Sequence, residues 1–175
     1  MKKKVLPVIV AILLILVIGG CALGKVLLDK YSYSKEEADW NEFYQVSEND
    51  RSAIILQNEM VEEQALIKDG VCYFDLATVH KYMNEVFYAD MTENLLLYAT
   101  PTEVIRTTFG ETAYTTTEGT QEAGYVISFA DGDNVYVAAD YVKLFTNYSY
   151  ECYDRHVQVN TEWGIRQVAQ LKKDT

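Results

Sequence analysis

Side chains able to do chemistry are few in this chain, and they form no known catalytic pattern. The three cysteines and two histidines are Cys21, Cys72, Cys152, His80 and His156. The spacing of these residues fits no standard zinc motif. The chain also contains no G-x-S-x-G nucleophile motif and no glycine-rich phosphate loop. The residues therefore predict no catalytic set, no metal site and no bound cofactor.

Carboxylates are plentiful, but they stand in polar runs. Examples are Glu62 with Glu63, and Asp131 with Asp133. A general acid must be buried for its pKa to rise, and polar runs predict solvated side chains instead. The segment around Asp131 resembles a calcium loop but lacks the closing glutamate. We interpret it as a hairpin turn.

The cysteines leave several interpretations open. Cys72 and Cys152 could form a disulfide if the protein is exported, but the pattern favours two separate apolar core positions. Cys21 ends the sequence IGGC, which is similar to the lipobox of bacterial lipoproteins. Cys21 is therefore a candidate for lipidation.

An apolar run near the N-terminus predicts a transmembrane helix. Residues 5–24 follow Lys2, Lys3 and Lys4 and precede the first acid, Asp29. At 1.5 Å per residue, about 20 residues span roughly 30 Å, which is enough to cross a bilayer. The positive-inside rule then predicts a single-pass cell-membrane protein with a cytoplasmic N-terminus and an extracellular C-terminal part. Cleavage as a signal peptide and lipidation at Cys21 are the alternatives.

The chain as a whole is acidic, with a net charge of −11. Binding to nucleic acid requires clustered lysine and arginine to neutralise phosphates. The composition therefore predicts no nucleic-acid partner.

Two stretches of the chain resemble each other. The first, from Asp69, reads DGVCYFDLATVHKYMNEVFYAD, and the second, from Asp133, reads DNVYVAADYVKLFTNYSYECYD. Each contains a strand pattern, a short helical pattern, and then two strand patterns separated by a turn. Val79 corresponds to Val142. Because one copy alone is too small to bury a core, the two copies should pack together.

These patterns predict an α+β fold, in which an N-terminal transmembrane helix precedes two related strand–short helix–strand–strand repeats with flanking strands. The predicted organisation has five parts. They are a signal-anchor (residues 1–30), a helical spacer (31–51), the first repeat (52–101), connecting strands (102–131), and the second repeat with a final strand (132–175).

The repeat resembles the copper amine oxidase N-terminal-like domain, a stalk module of exported proteins from Gram-positive bacteria. The resemblance covers Lys68–Tyr98 and Gly132–Asn160 and rests on a loose pattern of apolar and turn positions. An anchor followed by such repeats is similar to the front end of family 18, chitinase-like glycoside hydrolases. The acidic active-site run of that family, Asp-x-x-Asp-x-Asp-x-Glu, does not occur in this chain.

The predicted function is therefore a membrane-anchored stalk or adapter that positions a cell-wall-active domain. We expect that domain, catalytic or SH3-like, beyond Thr175, which would make this chain the non-catalytic front end of a glycoside hydrolase. The alternative is a module that binds cell-wall polysaccharide through exposed tyrosines. The chain has 14 tyrosines, and aromatic rings stack on sugars. Tyr148 and Tyr150 are the predicted glycan contacts.

Overall fold

The structure, a computed structural model, describes residues 16, 19–21, 23–28, 30–31, 39–46 and 48–173. The chain divides into two compact units, Met1–Ala38 and Asp39–Thr175. In the first unit the described residues are helical, and nearly all of them are exposed.

The predicted transmembrane helix is not supported. No helix among the described residues is long and apolar enough to cross a membrane. Within that part of the chain, Gly19, Gly20 and Lys25 interrupt the apolar sequence. Most of residues 5–24, the predicted bilayer contact, lies outside the described residues.

The predicted fold class is wrong as well. From Asp39 onward the described residues form twelve strands in two sheets and only four short helices. The fold is mainly β. The predicted assignments as a membrane, transmembrane and signal-anchor protein are not supported either, because no described helix is long and apolar enough to cross a membrane.

The larger sheet contains seven strands. They are β1 (Arg51–Leu56), β2 (Glu59–Lys68), β3 (Val71–Asp75), β9 (Ser128–Asp131), β10 (Asn134–Ala138), β11 (Tyr148–Cys152) and β12 (His156–Thr161). Their order in the sheet is β11–β12–β1–β2–β3–β10–β9. Neighbouring strands are antiparallel, except that β1 and β12 are parallel.

The smaller sheet is an antiparallel meander of five strands. They are β4 (Phe87–Asp90), β5 (Leu95–Ala99), β6 (Val104–Thr108), β7 (Ala113–Thr116) and β8 (Gly119–Glu122). The turn between β4 and β5 shows why the chain reverses here. The Asp90 carboxylate accepts hydrogen bonds from the backbone N–H groups of Thr92 and Glu93. Asn94 then takes a left-handed conformation, with φ 57°, which asparagine tolerates.

Four helices accompany the sheets. They are α1 (Trp40–Tyr44), α2 (Leu76–Tyr82), α3 (Ala139–Phe145) and α4 (Glu162–Lys173). The final strand predicted near the C-terminus is therefore a helix. Ile165, Val168 and Leu171 stand three residues apart in the sequence, which is the spacing of a helical face and not of a strand.

The two similar stretches meet at a central pair of strands, β3 and β10. Tyr73 lies opposite Ala138, Phe74 opposite Val137, and Asp75 opposite Tyr136. Because Tyr73 corresponds to Tyr136 in the repeat, this register gives the two copies a local twofold axis through the Phe74–Val137 pair.

The elements follow in the same order in both copies but join different sheets. After β3 come α2 and the β4–β5 hairpin of the smaller sheet. After β10 come α3 and the β11–β12 hairpin of the larger sheet. Tyr141 of α3 contacts Phe87 of β4 and Tyr114 of β7, so that aromatic side chains join the two sheets in one core.

Replacing either equivalent core valine with aspartate should destabilise the fold severely. Val79 and Val142 are fully buried in the hydrophobic core, so a new carboxylate at either position would lose its hydration. Val79→Asp and Val142→Asp should each lower the free energy of unfolding by on the order of 4 kcal/mol. Urea unfolding followed by circular dichroism measures this change.

Val104, in β6, provides the matched control because its side chain is 54% exposed. Val104→Asp should lower the free energy of unfolding by about 1 kcal/mol or less. Equal losses at all three positions would contradict the placement of the two helices in one core.

Candidate functional site

The predicted glycan contacts, Tyr148 and Tyr150, point into the protein. Tyr148 is only 3% exposed, and its hydroxyl donates a hydrogen bond to the backbone oxygen of Ala139. The half-buried Tyr150 donates to the Asp140 carboxylate at 2.8 Å. Burial raises the pKa of both phenols above the usual value. A sugar ring cannot stack on the enclosed ring of Tyr148, so the prediction is wrong for that residue.

Strand geometry explains this error. Side chains alternate between the two faces of β11, and the rings of Tyr148 and Tyr150 both contact Phe74 in the core. Glu151, between Tyr150 and Cys152, is exposed. Aromatic residues at alternate positions of a strand are thus typical of the buried face.

Four aromatic rings at another place form a continuous row at the surface, which we call the aromatic row. It consists of Trp40, Tyr44, His156 and Tyr153. Ring centroids are 6.1 Å apart between Trp40 and Tyr44, and the two planes differ by 25°. His156 lies between two tyrosines, with its centroid 4.7 Å from that of Tyr44 and 4.7 Å from that of Tyr153.

Helix α1 supplies one half of the aromatic row. Trp40 and Tyr44 are four residues apart and therefore share one face of this helix. The Asp39 carboxylate accepts a hydrogen bond from the N–H group of Asn41 at 2.9 Å and so caps the helix. Gln45 ends it in a left-handed conformation, and Val46 is buried. These contacts hold a helix of one and a half turns, which would not be stable alone.

The turn between β11 and β12 supplies the other half. Tyr153 and His156 flank this turn, and the Tyr153 N–H group donates to the His156 backbone oxygen at 2.8 Å. Arg155, between them, takes a left-handed conformation, and its guanidinium donates to the side-chain and backbone oxygens of Asn49. The Tyr153 hydroxyl donates to the Glu151 carboxylate. The backbone hydrogen bond and the hydroxyl hydrogen bond together fix the position of the Tyr153 ring.

An open cleft of about 230 Å³ lies along the aromatic row, and Asp154 also lines it. Trp40 is 53% exposed and Tyr153 is 51% exposed, so the outer rings present apolar surface to solvent. The Asp154 carboxylate is fully accessible and can accept hydrogen bonds. The cleft thus combines flat apolar faces with an acceptor that carries negative charge.

His156 has a structural role within the row. Its Nδ1 atom is buried and has no hydrogen-bond partner among the described residues. Burial of a polar atom without a partner costs free energy, which the stacking of the imidazole between two rings offsets. His156 therefore holds Tyr44 and Tyr153 at a fixed spacing.

A larger hollow of about 540 Å³ borders Asp131, the residue whose loop resembles a calcium site. Its cationic residues already have partners. Arg51 donates to the Tyr136 hydroxyl at 2.9 Å, and the Lys68 ammonium lies 4.5 Å from the centre of the Phe129 ring. Among the residues that the structure describes, no group of three His, Cys, Asp or Glu side chains could hold a metal ion.

The three cysteines are free thiols. Cys21, the candidate for lipidation, is exposed in the first unit, and its lipidation stays a prediction. Cys72 is buried in β3 and Cys152 is exposed at the end of β11, and each thiol shifts the pKa of the other.

Sequence reasoning missed the aromatic row because its two halves lie more than a hundred positions apart. Trp40 and Tyr44 belong to the predicted helical spacer, residues 31–51, whereas His156 belongs to the predicted second repeat. A local signal exists in the four-residue spacing of Trp40 and Tyr44. The meeting of this helix with the β11–β12 turn follows only from the parallel pairing of β1 with β12.

No family model, curated protein or solved structure matches the chain. The resemblance to the copper amine oxidase N-terminal-like domain therefore stays a prediction.

Removing the buried tyrosine should cost far more stability than removing the exposed one. Tyr148→Ala leaves a cavity and an unpaired Ala139 oxygen, and should lower the free energy of unfolding by about 3–5 kcal/mol. Tyr153→Ala removes a half-exposed ring and should lower it by about 1 kcal/mol. Thermal unfolding of the two variants beside the parent protein measures the difference. The assignment of Tyr148 to the core would be wrong if Tyr148→Ala melted like Tyr153→Ala.

Proposed function

We propose that the protein is a non-catalytic carbohydrate-binding module that holds a polysaccharide along the aromatic row. The observation that carries this proposal is the exposure of Trp40 and Tyr153 at the two ends of a row of stacked rings. The C–H groups of a pyranose ring pack well on a flat aromatic face, whose π electrons are negative.

The charge of the protein supports a neutral ligand over an anionic one. A net charge of −11 repels nucleic acids and other polyanions. Sugar hydroxyls are neutral donors, and the Asp154 carboxylate beside the row can accept from them. A neutral polysaccharide therefore satisfies both the apolar and the polar parts of the cleft.

The size of the cleft sets the expected affinity. A volume of about 230 Å³ is below the range of drug-sized pockets and suits one or two sugar rings. An open site of this size should bind weakly, with a Kd on the order of 0.1–1 mM. Tight binding to a cell wall would then require several modules or several contacts along one polysaccharide.

Oligosaccharide binding by the full chain tests the proposal. We expect isothermal titration calorimetry to detect saturable binding of a hexasaccharide of N-acetylglucosamine or glucose. Trp40→Ala and Tyr153→Ala should each weaken binding about fivefold, because each removes one stacking face worth roughly 1 kcal/mol.

The control is Tyr88→Ala. Tyr88, in β4 of the smaller sheet, is 60% exposed and therefore presents a similar ring to solvent away from the aromatic row. Its replacement should leave the Kd unchanged. The proposal fails if the hexasaccharides show no saturable binding, or if Tyr88→Ala weakens binding as much as Tyr153→Ala.

The stalk or adapter role inferred from the repeats is a second candidate. It is favoured by the pairing of β3 with β10, which makes the two copies parts of a single compact unit. A rigid unit suits a spacer between other domains. A folded protein that binds no hexasaccharide would leave this role as the better one.

A further inference from the structure

Strands β3 and β11 lie close together although they are not neighbours in the sheet. Three strands, β12, β1 and β2, separate them. In a flat sheet, four steps of about 4.8 Å would place them roughly 19 Å apart. The Phe74 ring of β3 nevertheless lies 6.3 Å from the Tyr150 ring of β11 and 6.5 Å from that of Tyr148. The sheet is therefore curled so that these two strands face each other across the core.

The same curl brings two cysteines together. Cys72 precedes Phe74 by two residues, and Cys152 follows Tyr150 by two residues, so each cysteine shares a face with an aromatic residue of this contact. The two thiols are near enough for each to shift the pKa of the other. Cys72 is 4% exposed, whereas Cys152 is exposed to solvent.

We propose that Cys72 and Cys152 are a redox-active pair that forms a reversible disulfide between β3 and β11. Neighbouring thiols on facing strands can form a bond of about 2.05 Å with a small movement of the side chains. Cys152 lies at the end of the edge strand β11, where the backbone can adjust. The proposal does not depend on carbohydrate binding.

The electrostatic surroundings assign different roles to the two sulfurs. Interaction with the neighbouring Cys72 thiol lowers the pKa of Cys152 to about 7, while burial and the Asp140 carboxylate oppose this effect. Interaction with Cys152, together with burial, raises the pKa of Cys72. Cys152 is thus the accessible nucleophile, and Cys72 is the resolving thiol.

The oxidant in this reaction is a low-molecular-weight disulfide. The Cys152 thiolate attacks one sulfur of that disulfide, forms a mixed disulfide and releases one small thiolate. The Cys72 sulfur then attacks the Cys152 sulfur, and the bond between Cys152 and the small molecule breaks. The second small thiolate leaves and takes up the proton of Cys72. Two protein thiols are oxidised, and one small disulfide is reduced to two thiols.

Incubation of the full chain with excess oxidised glutathione tests the proposal. A Cys21→Ser background removes the third thiol. We expect this protein to lose two hydrogens in intact mass and both alkylatable thiols, without retaining glutathione. Its Tm should rise by several degrees, because the bond links two distant parts of the chain. Dithiothreitol should restore the original mass, the two thiols and the original Tm.

Two further variants identify the order of events. In the Cys21→Ser background, Cys72→Ser should stop at the mixed disulfide and retain one glutathione on Cys152. Cys152→Ser should react far more slowly, since Cys72 is buried. Retention of two free thiols by the Cys21→Ser protein, with its near-ultraviolet circular dichroism unchanged, would overturn the proposal. So would a Cys152→Ser protein that reacts as fast as the background.

Discussion

The pairing of β3 with β10 is the interaction on which the rest of the molecule depends. Its two strands contribute Tyr73, Phe74, Tyr136 and Val137, all of them buried. Each strand leads directly into a helix that covers the core, and each helix leads into a hairpin. Because a buried strand pair has no solvent to replace lost backbone hydrogen bonds, this register fixes the position of both copies at once.

The aromatic row and the cysteine pair both follow from the second hairpin, β11–β12. One side of β11 closes on Phe74 and places Cys152 against Cys72. The turn beyond Cys152 carries Tyr153 and His156 to helix α1. The first hairpin, β4–β5, has no such role, since it begins the smaller sheet. The two copies thus share local structure but differ in what their hairpins contact.

Sequence reasoning succeeded where local pattern and burial agree. The repeat predicts that Val79 and Val142 are equivalent positions on two short helices, and both residues are fully buried. It failed where an apolar or aromatic residue could serve two purposes. Tyr148 and Tyr150 looked like sugar contacts, yet the face of a strand that points inward depends on its partners. The predicted membrane span rested on the length and flanking charges of one apolar run, and the mainly β fold depends on long-range strand pairing that such a local pattern does not encode.

The parallel pairing of β1 with β12 has a consequence for synthesis of the protein. Strand β1 lies near the start of the compact unit, and its partner β12 ends at Thr161, so a hundred residues separate the two. While the ribosome is still making the second copy, β1 can pair only with β2 and keeps an open hydrogen-bonding edge. Such an edge is a site for intermolecular pairing and aggregation. All seven strands of the larger sheet can pair only after β12 has been synthesised, which makes late folding a property of this topology.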